Sequence, residues 1–242
     1  MKLHPELSFV AYVEGQPAGC AVSGVRSVAC RRTAYCGGTA VAPTHRGSGI
    51  GRRLMRAALA GCRAAGADEA ELEAVTDNAR AIALYRSLGY AEVDRLSVLR
   101  RAGAIGESVS AAPYLLDEVE PPALAGIPCY GQEAPWQCQW QSVRDGRAVV
   151  LRRAAGETAA WALIRRRYGE DGRAASATVY QAGAADWAAD PDGLVHRLLC
   201  LALDQLFALN IPASAPRTLA ALGRLGSQET VAQLRMRLRL RS

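Results

Sequence analysis

Lysine is almost absent: Lys2 is the only one among the 29 basic residues of this 242-residue chain, and every other is arginine. Alanine is abundant too, a pairing that a GC-rich coding bias explains without selection for nucleic acid. The formal charge of +6 comes without interleaved aromatic and basic residues, which argues against a nucleic-acid partner. A modest positive balance still steers small anionic ligands towards a basic cleft. No stretch approaches the ~20 uninterrupted apolar residues that a membrane helix needs, and the opening MKLHPELSFV has no apolar core before a cleavage site. The expectation is a soluble, cytoplasmic protein with no membrane partner. Seven cysteines, an odd number, include no Cys-x-x-Cys pair, and His4, His45 and His196 show no ligand spacing. Idle thiols in a reducing compartment and no metal are expected. A chain 50% hydrophobic and 21% charged is too apolar for general disorder.

The first hundred residues are clearly punctuated. Residues 9 to 13 and 18 to 25 read as strands around the turn Glu14-Gly15-Gln16-Pro17, a hairpin. Residues 33 to 41 form a third strand, whose Gly37-Gly38 suggests a bulge or a close backbone approach. Ile50, Leu54, Ala58 and Cys62 recur on one face of a helix over residues 49 to 65, with Arg52, Arg53 and Arg56 on a solvated face. Residues 70 to 75 alternate Glu71 and Glu73 with Leu72 and Ala74, a half-buried strand whose carboxylates are expected at the surface. Thr76-Asp77-Asn78 supplies capping side chains for a helix with the stripe Ala81, Leu84, Tyr85 and Leu88, stopped by Gly89, and residues 90 to 100 form a last strand.

Proline then gathers in residues 102 to 147, and a boundary is expected near Ala102. Beyond it, residues 148 to 151 and 158 to 167 read as a hairpin, 174 to 181 as a strand and 194 to 209 as a helix. The halves overlay weakly but in order. GQPAGCAV from Gly15 sits on GETAAWAL from Gly156, RLMRAAL from Arg53 on RLLCLAL from Arg197, and Leu88-Gly89 on Leu225-Gly226. A tandem repeat of one fold follows.

The chemistry lies in Val41 and the segment Arg46-Gly47-Ser48-Gly49-Ile50-Gly51: a strand, a proline, a glycine-rich loop and a helix start. Unpaired N–H groups, a positive helix end, glycines that admit a phosphate and an arginine fork are the parts of a pyrophosphate cradle. The dinucleotide fingerprint would need glycine where Arg52 stands, and the Gly-Lys-Ser/Thr of a P-loop is absent. The loop resembles instead the R-x-x-G-x-G/A acyl-CoA signature of the GNAT superfamily of N-acetyltransferases. Asn78, Ala81, Leu84, Tyr85, Leu88, Gly89 and Tyr90 are similar to that superfamily's second signature, N-x-x-A-x-x-L-Y-x-x-L-G-F.

The resemblance covers about residues 9 to 101. It implies an α/β (α+β) fold with a mixed, mostly antiparallel sheet flanked by helices, two such units in tandem. The units would be 1–102, N-terminally short, acetyl-CoA-binding and catalytic; 103–147, a proline-rich connection and the start of the second unit; and 148–242, degenerate. It also implies roles. Arg46 and the backbone of Gly47, Ser48, Gly49, Ile50 and Gly51 would hold the pyrophosphate. Ala40 and Val41 would pair with the pantetheine amides as an added strand, which requires their strand to splay from its neighbour. Asn78 would bond to the pantetheine arm, and Tyr85 would protonate the leaving thiolate after direct attack by an amine, without an acyl-enzyme. Taken alone, Tyr85 on an apolar stripe would be core packing and Arg46 a solvated arginine; the joint motifs reverse both. Cys36 has no histidine partner and reads as an idle thiol, and the general base is open.

The expected function is an acetyl-CoA-dependent N-acetyltransferase acting on a small amine or a peptide amino group; a homodimer is left open. The rival is a non-catalytic acyl-CoA-binding or sensing protein. A complete domain of the superfamily begins with a strand and two helices, whereas eight residues precede Phe9. Those helices are expected upstream of Met1, or their place taken by the second half, through Trp136 or Trp140. In that half, Ala215 and Leu222 replace Asn78 and Tyr85, and Asp186, Asp190 and Asp192 replace the phosphate loop, so CoA is not expected there.

Overall fold

The computed structural model describes residues 3–28, 31–103, 110–128, 130–172, 174–200 and 205–241. Cys30 and Cys129 therefore lie outside the described residues. The chain divides into two compact units, an N-terminal one of Lys2–Asp94 with Leu234–Ser242, and a second of Arg95–Gln233.

In the N-terminal unit, β1 (Phe9–Val13), β2 (Gln16–Val28) and β3 (Arg31–Val41) run antiparallel in order, and β4 (Glu69–Val75) lies parallel to β3. The β2–β3 register skips Gly37 between the pairs Val22–Gly38 and Ser23–Cys36, which is the bulge the paired glycines suggest. The end of β11 (Gln228–Arg239) adjoins β4. α1 (Ile50–Ala64) buries Ile50, Leu54, Met55, Ala58, Leu59 and Cys62, one face of the periodic pattern. α2 (Ala79–Ser87) is capped by Asn78, whose carboxamide oxygen accepts from the Ala81 N–H at 3.1 Å, and stops at Gly89, where φ is +93°. Val25, Ala34, Met55, Leu72, Ile82, Tyr85 and Met236 share one core.

The second unit repeats this plan. β7 (Arg147–Arg152), β8 (Thr158–Tyr168) and β9 (Ala174–Ala184) run antiparallel, β10 (Gln205–Pro212) lies parallel to β9, and residues 96–102 of β5 (Ala91–Ala102) pair antiparallel with β10. β6 (Leu115–Val119) flanks β7. The β8–β9 register skips Tyr180 between the pairs Leu163–Gln181 and Ile164–Val179. The repeat overlay puts Leu163 on Val22, so the bulges fall at matching places. α4 (Pro216–Arg224) occupies the positions that the overlay assigns to α2, and its stop at Gly226, φ +75°, matches Gly89. Four consecutive residues of β7, Ala148 to Leu151, are buried because both sheet faces are covered. Val149 and Leu151 pack on α3 (Pro191–Leu199), while Ala148 and Val150 pack on Leu124, Ile127 and Tyr130 of the proline-rich segment.

Two expectations are corrected. The helix expected over residues 194 to 209 ends at Leu199, residues 201–204 lie outside the described set, and residues 205–209 are strand. The short apolar run Leu206 to Leu209 does not by itself distinguish a helix from a strand paired on both edges, and β10 is paired on both. Glu71 is buried rather than exposed, because Arg235 and Arg237 of β11 neutralise it at 2.6 and 3.4 Å. No helix among the described residues is long and apolar enough to cross a membrane.

Candidate active site

Parallel pairing of β3 with β4 lasts for three residues, Thr33–Glu69, Ala34–Ala70 and Tyr35–Glu71, and stops. Both strands continue, so β3 beyond Tyr35 has a free edge towards a cleft of about 640 Å³. This is the splay that an added strand of ligand amides requires. Thr39, Ala40 and Val41 form one wall; the loop from His45 to Gly51 and the start of α1 close one end; Asn78, Ala81, Leu84 and Tyr85 of α2 form the other wall.

The loop is shaped for close approach. Gly47 and Gly49 have φ of +89° and +82°, a region costly for any residue with a Cβ. Gly49 is the N-cap of α1 and contributes no side-chain cap, so the first-turn N–H groups remain available. Gly51 lies between the two walls, where a Cβ would make ordinary van der Waals contact with Leu84 at 3.4 Å and Val41 at 3.5 Å. Arg46 is exposed, and its Nε donates to the Val41 carbonyl at 3.3 Å, which parks the guanidinium beside the strand end. Ser48 turns its hydroxyl away, donating to the His45 carbonyl at 2.7 Å. Sequence reasoning missed Arg80: its Nη2 comes within 3.4 Å of where a Gly47 Cβ would be. Arg46, Arg52 and Arg80 line the cleft, and among the described residues no Asp or Glu does.

Tyr85 belongs to both core and cleft: it is 8% exposed and packs edge-on against Tyr90, ring centroids 6.1 Å apart, yet lines the opening. Burial pushes its phenol above the ordinary tyrosine value, against a smaller lowering by the Thr39 hydroxyl. Cys36 is held by Thr39 at 3.3 Å and Met55 at 3.6 Å, and burial pushes its thiol up, the opposite of what a nucleophile needs. On β4, Ala70, Leu72 and Ala74 face the helices, so Glu71 and Glu73 face the other side of the sheet. Glu73 accepts from the Tyr35 hydroxyl at 2.5 Å.

Residues 1–90 match the acetyltransferase (GNAT) family. These ninety residues belong to the GNAT superfamily. N-alpha-acetyltransferase 30 of Dictyostelium discoideum is 34% identical over 92 residues, which are 38% of this chain and 50% of that protein. Streptothricin acetyltransferase of Streptomyces lavendulae is 53% identical over 51 residues, 21% of this chain and 27% of that one. The chain thus spans half the length of one curated relative and about a quarter of the other. Across 99% of this chain and 85% of its own, a tandem GNAT protein from the clavulanic acid biosynthesis pathway shares the fold, with a TM-score of 0.63 at 16% identity.

Against the GNAT cleft, the equivalent region of the second unit is inverted in charge. Asp190 caps α3, accepting from the Gly193 N–H at 2.8 Å, and Asp186 and Asp192 hold Arg217 at 2.8 and 3.2 Å. Trp136 is buried, and Trp140 packs against the second unit's own core.

Proposed function

We propose that the N-terminal GNAT unit transfers an acetyl group from acetyl-CoA to a primary amine by direct attack. The observation that carries this reading is the cleft itself, where an unpaired strand edge, an uncapped helix start among three arginines and the Tyr85 phenol converge. In it, the N–H groups of the Gly47 to Gly51 loop and the forks of Arg46 and Arg80 bind the pyrophosphate. Ala40 and Val41 pair with the pantetheine amides. Asn78 spends its carboxamide oxygen on the cap and donates its NH2 to the arm.

The amine nitrogen attacks the thioester carbonyl carbon, and backbone donors of the splayed strand stabilise the oxyanion. As the C–S bond breaks, the sulfur takes the Tyr85 proton: a thiol has a reference pKa of ~8.5 and tyrosine ~10, so the phenol remains a donor at neutral pH. The proton that the attacking nitrogen sheds passes to solvent, since no carboxylate among the described residues lines the cleft. One relative is named an N-alpha-acetyltransferase and the other a streptothricin acetyltransferase, so peptide α-amines and small-molecule amines both belong in the assay. Acetyl-CoA is incubated with the protein and either blocked-side-chain peptides or small polyamines, and free CoA and acetylated product are followed by mass spectrometry. Product with either class supports transfer. Tight CoA binding without product favours an acyl-CoA sensor, and absence of CoA binding overturns the reading.

A further inference from the structure

The second unit contains its own cleft of about 440 Å³, within the range of small-ligand sites. It arises as the first does: β9 and β10 pair in parallel only from Ser176–Gln205 to Val179–Ala208, after which β9 runs on to Ala184 and β10 to Pro212. The edge of β9 that β10 has left faces the opening, and among the described residues the Ala182 carbonyl on it accepts from the Thr218 hydroxyl at 2.8 Å. The wall includes Trp161, which is 2% exposed and whose indole Nε1–H meets no acceptor among the described residues. Trp161 lies across its strand partner Gly183: a Cβ there would stand 3.1 Å from the indole nitrogen, so glycine is what leaves room beside the ring.

The surroundings select a ligand class. An indole N–H is a donor only and requires an acceptor. The strand edge requires alternating donors and acceptors, which an extended chain of secondary amides supplies. Phosphate is disfavoured, because Arg217 is already held by Asp186 and Asp192, and Glu133 in the lining adds further negative charge. Most of the remaining lining is apolar and small: Ala134, Ala184, Ile211, Pro212 and Ala215. We propose that this cleft binds a short uncharged peptide segment in extended form, added as a strand to β9 beside Trp161.

All four tryptophans, Trp136, Trp140, Trp161 and Trp187, lie in the second unit, so their indole N–H resonances report on it alone. The ¹⁵N-labelled full chain is titrated with N-acetyl-dialanine methylamide. The Trp161 resonance is assigned from Trp161→Phe, or by elimination from single Phe variants at the other three if that variant does not fold. A saturable downfield shift of the Trp161 indole N–H is expected, with Trp161→Phe weakening the probe roughly two- to tenfold as followed at the Gly183 amide. No shift of that resonance up to the probe's solubility limit overturns the proposal. So does an equal shift produced by CoA, which would make the cleft a second acyl-CoA site.

Discussion

Arg235 donates to the Glu71 carboxylate at 2.6 Å, joining residues 164 positions apart with side chains only 9% and 3% exposed. Arg237 adds a contact to Glu71 at 3.4 Å and one to Glu69 at 3.8 Å, so the end of β11 completes the N-terminal unit through charge as well as through Met236 in its core. Removing one partner of a buried pair strands the other, at a cost of about 3–5 kcal/mol. Glu71→Gln should therefore lower the unfolding free energy of this unit by that order in urea. The double variant Glu71→Leu/Arg235→Met should cost clearly less than the sum of its single changes. Additive losses would mean that the pair is not coupled.

Tyr85→Phe retains the ring against Tyr90 and removes only the hydroxyl. If the phenol protonates the thiolate, turnover should fall by about hundredfold while CoA affinity, by calorimetry, is unchanged. Burial raises the phenol above its ordinary value, so the proton remains in place at alkaline pH and no Tyr85-dependent loss of rate should occur below pH ~10. A rate declining through pH 8 in wild type but not in Tyr85→Phe would refute the assignment.

What the sequence made legible was local. The helix of Ile50, Leu54 and Cys62, the Asn78 cap, the Gly89 stop and the Gly37 bulge each depend on neighbours within a few positions, and all are found. Glu71 was misread because alternation on a strand says which residues share a face, not what covers that face. The covering arginines belong to a strand at the far end of the chain. Residues 205–209 were misread as helix because Leu206, Phe207, Ala208 and Leu209 are a short apolar run, in which sequence period does not separate helix from strand. Arg80 went unseen because its place in the Asn78 motif is one where any residue is allowed. Only the fold brings it over Gly47.

Gly49 has open space around it, since a Cβ would meet nothing within 4 Å, but its φ of +82° makes any β-branched residue strained. Gly49→Val should cost stability by about 1–2 kcal/mol and weaken CoA by more than its effect on folding, because rotating this residue withdraws the first-turn N–H groups. Unchanged CoA affinity in a folded variant would remove the loop from the binding site.

Glu229 is held to a pKa of about 2, first by the Arg95 guanidinium, which it meets at 2.7 and 2.8 Å, and then by the Ser97 hydroxyl. A carboxylate depressed in the folded state contributes stability above its unfolded pKa of ~4.3, and that contribution is lost as pH falls through the folded value. Its side chain is 37% exposed, so the effect is that of a screened surface pair, up to about 1 kcal/mol. The stability gap between wild type and Glu229→Gln should therefore be full at pH 6 and close between pH 4.3 and 2. A gap that widens on acidification would contradict the pairing.

One CoA should bind per chain, because the second unit has filled its own cradle. At α1 the N-cap is a glycine that offers no side chain, and the free N–H groups face three arginines. At α3 the N-cap is Asp190, whose carboxylate accepts the Gly193 N–H, and the first helical position is Pro191, which has no N–H to give. Asp192 in the same turn adds charge that stabilises the helix dipole and repels phosphate. The changes are mutually reinforcing, so no single reversal restores an anion site. Asp190→Gly would uncover one donor but leave the proline, and Arg217 would still be held by Asp186 and Asp192. Calorimetry should return a stoichiometry near one for the wild type and for Asp190→Gly alike, and near zero for Arg46→Ala/Arg80→Ala at concentrations that saturate the wild type. Two equivalent sites in the wild type would show that the acidic helix start does not exclude CoA.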